Sequence, residues 1–273
     1  MRDIEKFKEE ILREYPRLSQ DSTFTFACHP GVPCFNQCCG DVNIFLTPYD
    51  ILRLKNNLNM SSEKFLSEHT IMPFDRNLKY PVVLLQMKDD ENKSCPFVGE
   101  NGCTVYEDRP WACRMYPLGM ASPKEGDESL GEEFYFVLKE DFCKGFKEDN
   151  TTTVADWMKN QGIAEYNKMG YYFKELTLNE FFQEGDKVTP EKIEMFFLAC
   201  YNLDAFRDFL FSSTFFDKFE VDDETRNAIE KDDVELLKFG YTWLRFALFG
   251  EKTLKIKDEV VQEKKKALKG NNQ

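Results

Sequence analysis

The chain has 273 residues, the length of one large domain or two small ones. Hydrophobic residues at 42% and charged residues at 31% belong to a folded globular protein with a sizeable core and exclude a disordered chain. The formal net charge of −13 argues against nucleic acid as a partner, because a phosphate backbone is neutralised by clustered lysine and arginine.

In chain order, the opening MRDIEKFKEEILREYPRL is charged and amphipathic, and residues 4–15 are expected to form a short helix that Pro16 ends. The stretch has no apolar core of a secretory signal. No run approaches the roughly 18 consecutive apolar residues of a membrane span. The expected setting is therefore the cytoplasm, without a membrane partner, where thiols stay reduced and bind metals more readily than they pair. VNIFL (42–46) reads as a strand running into a helix with Thr47 as N-cap, Pro48 at the first helical position and Asp50 at the third. A further helix is expected from Ser61 or Ser62 through FLSEHT, and PVVLLQM (81–87) reads as a buried strand. CPFVGENGCTVY has the form of a hairpin turning at Glu100, Asn101 and Gly102, and FYFVLKE (134–140) is a further strand.

After Asn150 helical periodicity takes over. One helix is expected over TTTVADWMKNQGIAEYNKMGYYFKEL, with Thr153 as N-cap and Asp156 three positions on. A second opens at Thr189, Pro190 and Glu191 and runs through IEMFFLACYNLDAFRDFL, and a third follows from about Asp233. Its phenylalanine-rich faces read as core packing. The basic run KKKALKG (264–270) reads as a solvated helix terminus. The expected fold class is α+β, mainly α: a cysteine-rich metal-binding module with short strands (1–150), and a helical C-terminal region (151–273) packed against it.

Eight of the nine cysteines fall in the first half: Cys28, Cys34, Cys38, Cys39, Cys95, Cys103, Cys113 and Cys143. A thiolate in a low-dielectric pocket is costly unless a cation neutralises it, which a metal does while fixing geometry. Eight sulfurs suit two four-sulfur sites, or one such site plus a second with other ligands. Adjacent residues tend to point apart, so Cys38 and Cys39 either feed one site each or jointly serve a larger cluster. The spacing is neither that of a zinc ribbon nor that of a bacterial ferredoxin. Arg109 and Arg114 flank Cys113 in YEDRPWACRMYP, where they either offset the charge of a thiolate cluster or pair with Glu107 and Asp108. Trp111 and Tyr116 are placed to shield the sulfur. His29 and His69, the two histidines, read as a solvated loop residue and a satisfied helix residue. Cys200, on the apolar LACYNL, reads as a core thiol.

The combination CFNQCC, LTPYDILRL, CPFVGENGCTVYEDRPWACRMYP and FCKGF resembles the YkgJ family of cysteine-cluster proteins, over about residues 24–150. That resemblance implies a zinc- or iron-chelating domain of the CxxCxxCC type, with Cys34, Cys38, Cys39, Cys95, Cys103, Cys113 and Cys143 at the cluster positions. Cys28 occupies the leading position, with HPGVP inserted before the next cysteine. The same signature is found in flagellin lysine N-methylases, which look like iron–sulfur proteins that transfer a methyl group. Three functions follow as expectations. The first is a metal-binding protein carrying an iron–sulfur cluster of the 4Fe-4S kind, with a redox or metal-handling role and a redox-partner protein. The second is an iron–sulfur-dependent lysine N-methyltransferase using S-adenosylmethionine on a protein substrate. The third is a zinc-stabilised scaffold. No hydrolase or nucleotide-binding motif is present.

Overall fold

The computed structural model of the chain describes residues 15–73, 80–121, 133–183 and 188–263. The helix expected over 4–15 lies outside them but for Tyr15, as does the basic run 264–270. The fold is α+β with helix predominating, and the described strands are short, pairing two by two in antiparallel fashion. Among the described residues no helix is long and apolar enough to cross a membrane. Contacts group the chain into two units. The first draws on Met1–Ile44 and Gln86–Lys168, the second on Phe45–Leu85 and Met169–Gln273.

In the first unit, Thr23–Thr25 pairs with Thr151–Thr153, and Leu118–Ala121 pairs with Phe134–Val137. The latter strand is the one expected from FYFVLKE, and three of its four side chains are buried. Behind these pairs Phe24, Phe26, Met115, Leu118, Tyr135, Val154 and Ile163 form a core, onto which Trp111, Tyr116, Cys143 and Phe146 pack. Phe26 meets Tyr116 and Trp157 edge-on at ring-centroid distances of 5.8 and 5.6 Å. Val98–Gly99 pairs with Gly102–Cys103 in the expected hairpin, where Gly102 takes φ 114°, a conformation that an L side chain resists. Thr153 caps the helix Val154–Asn160 by accepting from the Asp156 amide. The expected single helix beyond it breaks at Gln161 and Gly162, where Gly162 turns to φ 64° and a second helix, Ile163–Thr177, begins.

In the second unit, Thr47 and Asp50 complete a capping box on the helix Pro48–Asn57: the Thr47 amide donates to the Asp50 carboxylate at 2.8 Å, and the Asp50 amide donates to Thr47 Oγ1 at 3.2 Å. Ser61 caps Ser62–His69 in the same way. The strand expected over 42–46 is reduced to a bridge between Phe45 and Leu84, and that over 81–87 to Leu84–Leu85 paired with Thr70–Ile71. Both runs are cut short by their neighbours: Pro81 has no amide to extend a ladder, and Thr47 already turns the chain into a helix. The helix expected through residues 190–210 is two, Pro190–Cys200 and Leu203–Ser212, separated at Tyr201 and Asn202. Asp233–Phe249 is the third, capped by the Asp232 carboxylate and closed by Gly250 at φ 71°. It lies so close to Pro190–Cys200 that a Cβ on Gly240 would meet the Ala199 carbonyl oxygen at 2.7 Å. Phe196, Ala199, Cys200, Phe206, Leu236 and Leu244 are fully buried there, so much of the phenylalanine-rich surface is core packing, while Phe209 stays exposed.

Candidate metal centre

All eight cysteines singled out in the sequence lie in the first unit, whereas Cys200 lies in the second. Their gathering begins with the turn-rich segment 28–40. Val32 donates to the His29 carbonyl, Phe35 to Val32, Gln37 to Cys34 and Cys39 to Asn36, so the chain coils tightly through four thiols. Asn36 takes φ 68° as it enters the short 3-10 turn Gln37–Cys39. Two sets of backbone bonds then bring distant sulfurs to this coil.

The first set comes from the Thr23–Thr25/Thr151–Thr153 pair. Past it, the Phe26 amide donates to the Asn150 carbonyl, Asn150 Nδ2 donates back to the Phe26 carbonyl, and the Ala27 amide donates to the Gly145 carbonyl at 3.1 Å. A Cβ on Gly145 would meet the Ala27 oxygen at 2.5 Å, so only glycine admits this approach. The result carries Cys143 to Cys28, and the Lys144 amide donates to Cys34 Sγ at 3.0 Å. Cys28, Cys34, Cys38 and Cys143 line one small cavity of about 10 Å³, closed by Phe26, Val32, Tyr116 and Phe142. That is the room of about one water molecule or one ion. Burial, and then the thiols of Cys38, Cys34 and Cys143, push Cys28 up to about 11. Burial and the adjoining Cys143 thiol also keep the Tyr116 hydroxyl protonated far above its ordinary value.

The second set runs to the hairpin. The Cys95 amide donates to the Cys39 carbonyl at 2.7 Å beside a bridge between Gly40 and Ser94, and the Val98 amide donates to the Cys95 carbonyl at 3.2 Å. Val98 is the register partner of Cys103. Asn36 Nδ2 donates to the Gly99 carbonyl, and Phe35 lies against Gly102. Cys39, Cys95 and Cys103 thereby belong to one patch of backbone. Burial raises Cys95 and Cys103 above the ordinary thiol value, and Cys95 and Cys113 both act on Cys39. Between the two groups, Cys38 is drawn down and Cys39 pushed up because their side chains hydrogen-bond each other.

Arg109 and Arg114 are each 7% exposed. Arg114 donates to the carbonyls of Arg109 at 3.0 Å, Gln161 at 2.7 Å and Glu107, and stacks over Tyr166 at 4.6 Å. Arg109 donates to the Tyr106 carbonyl and the Gln161 side chain, and lies 3.7 Å over the Tyr106 ring. These bonds run to neutral oxygens. Burial lowers Arg109, and the tyrosine beside it and the thiols of Cys103 and Cys113 are among the groups that raise it again. Trp111 donates to Asn167 Oδ1 at 2.7 Å.

His29 accepts from the Gly31 amide through Nδ1, which places its proton on Nε2, and Nε2 meets Glu148 at 3.1 Å. Both ring nitrogens are engaged. His69 belongs to the second unit and packs its ring 5.4 Å from that of Phe65. The Lys144 amide and Gly145, which position two sulfurs, belong to the FCKGF stretch of the sequence, but nothing in that string told of their structural role. Among the described residues no three histidine, cysteine or carboxylate side chains stand at the spacing that holds one ion. Eight sulfurs lie in one unit, and four of them line one small cavity.

The class defined by this arrangement is a cysteine-rich, sulfur-donor module inside a larger helical chain. Residues 27–150 match the model of the CxxCxxCC family, whose description is "Putative zinc- or iron-chelating domain". No curated protein and no solved structure matches the chain.

Proposed function

We propose that the chain is a metal-binding protein whose first unit holds iron or zinc through cysteine sulfur. The observation that carries this reading is the return of Cys143 to Cys28, Cys34 and Cys38 across more than a hundred residues, so that the four line one small cavity. Thiolates drawn together repel one another unless a cation joins them. The family match over 27–150 supports the same chemistry.

Within that reading the iron–sulfur form, with a redox or metal-handling role, is supported by Arg109 and Arg114. Two buried guanidinium groups beside Cys103 and Cys113 offset the negative charge that an iron–sulfur centre with four thiolates carries, and they raise its potential. The zinc form is supported by the size of the cavity, which is that of a single ion. Anaerobic purification with iron, sulfide and zinc analysis and an absorption spectrum separates the two. A brown protein with a broad visible band that bleaches on reduction establishes iron–sulfur. A colourless protein with stoichiometric zinc establishes the scaffold. A chain that holds neither metal after reconstitution ends the proposal.

A further inference from the structure

We propose that Cys38 and Cys39 form a redox-sensitive dithiol, which a low-molecular-weight disulfide such as oxidised glutathione converts into a Cys38–Cys39 disulfide. The oxidation itself stands apart from the metal-binding reading above. Its consequence, that the oxidised pair shuts metal out of the cavity, rests on that reading.

The two cysteines are successive residues of the 3-10 turn Gln37–Cys39, and the backbone holds that turn from both sides. The Gln37 amide donates to the Cys34 carbonyl and the Cys39 amide to that of Asn36, both at 3.0 Å, and the Cys39 carbonyl accepts from the Cys95 amide at 2.7 Å. Just beyond, Gly40 passes so near Asn92 that a Cβ on it would meet the Asn92 carbonyl oxygen at 2.8 Å. Within this frame the Cys38 and Cys39 side chains turn toward each other and share a hydrogen bond. A thiol that already touches its partner needs no search through the chain before the second bond forms, which gives it an effective concentration far above that of a thiol in solution. Both are partly exposed, so a small disulfide reaches them, whereas Cys34 and Cys200 are buried.

The exchange balances within these groups. One of the two sulfurs attacks a sulfur of oxidised glutathione, and its proton leaves with the first glutathione released. The neighbouring sulfur then attacks the mixed disulfide, and its proton leaves with the second. Two thiols are oxidised to one disulfide, and one glutathione disulfide is reduced to two thiols. A disulfide between neighbours closes a tight ring through their shared peptide, and strained bonds of that kind are readily reduced, so a dithiol reductant restores the pair. Cys38 also lines the cavity with Cys28, Cys34 and Cys143. Oxidation withdraws its sulfur from that set.

The test uses the full chain, reduced, freed of metal by a chelator and kept without oxygen. After incubation with oxidised glutathione, the remaining thiols are alkylated under denaturing conditions and peptide mass spectrometry locates the linkages. One internal disulfide per chain is expected, joining Cys38 to Cys39, and a dithiol reductant should remove it. Phenylarsine oxide, which bridges two adjacent thiols without oxidising them, should protect the same pair from alkylation in the reduced chain. Cobalt(II) uptake, read by the sulfur-to-cobalt absorption band, should be lost on oxidation and regained on reduction. Alkylation of Cys38 and Cys39 after oxidation, or a disulfide from either to another cysteine, overturns the dithiol. A Cys38–Cys39 disulfide with undiminished cobalt uptake overturns its role at the cavity. A reduced chain that takes up no cobalt overturns the metal-binding reading and leaves the dithiol standing.

Discussion

Arg114 shows how much of this site hangs on a single side chain. Its guanidinium is buried and holds the carbonyls of Glu107 and Arg109 in one turn and of Gln161 at the end of a distant helix. Truncation leaves those oxygens without their donor in a dry environment. Arg114→Ala is expected to lower the free energy of unfolding by about 2–4 kcal/mol in urea titration. Arg114→Lys should recover only part of this, since an ammonium cannot fork across three acceptors. The presence of this arginine beside Cys113 is plain in YEDRPWACRMYP, but its partners are not. Glu107 and Asp108 are the nearest charges in sequence, and the backbone carbonyls that hold the guanidinium carry no mark in the residue string. Cysteine identity behaves the opposite way: Cys200 differs from the other eight by its apolar helical setting, and it is a fully buried core residue. What sequence could not settle was which sulfur faces which, because the backbone bonds that decide it join residues as far apart as Ala27 and Gly145.

At the scale of elements, helix starts were readable and helix interruptions were not. Thr47, Ser61 and Thr153 all accept from the amide three residues on, as their side chains dictate. The break at Gly162 and that at Tyr201 and Asn202 sit inside runs whose apolar spacing continues, so periodicity passes over them. Gly145 is the position where an element most constrains the site. Its added methyl in Gly145→Ala would collide with the Ala27 oxygen and with Phe26, forcing apart the two strands of chain that carry Cys28 and Cys143. Stability should fall by about 1–3 kcal/mol, and cobalt titration should show weakened uptake. In the second unit, Asp233 at the start of its helix meets Lys55 at 2.7 Å and also Arg207, which joins three helices through one carboxylate. Burial raises this carboxyl, yet the hydrogen bonds from Lys55 and Arg207 outweigh it and hold it below the ordinary value. A carboxylate so depressed stabilises the fold above its unfolded value, about 4, and loses that contribution as pH falls through the folded value. Asp233→Asn is therefore expected to cost stability at neutral pH and to flatten the acid limb below about pH 4, measured by denaturation across pH.

For the molecule as a whole, composition and contacts divide the chain differently. Thiols thin out after Asn150, but contacts place Phe45–Leu85 with Met169–Gln273 and leave the first unit in two pieces. Local composition cannot report such interleaving, because it arises from which faces bury one another late in the chain's length. Metal removal should respect the contact division. Hydrogen exchange compared with and without metal is expected to show loss of protection over residues 23–41 and 93–150, and none over the helices Pro190–Cys200 and Asp233–Phe249; equal loss in both would mean that the metal supports the entire fold. The split of the first unit also matters on the ribosome. Cys28, Cys34 and Cys38 emerge about a hundred residues ahead of Cys143, which at about 5–20 residues per second leaves three nascent thiols waiting on the order of 5–20 s for their fourth. Whatever delivers or withholds metal during translation, or oxidises thiols early, acts within that interval.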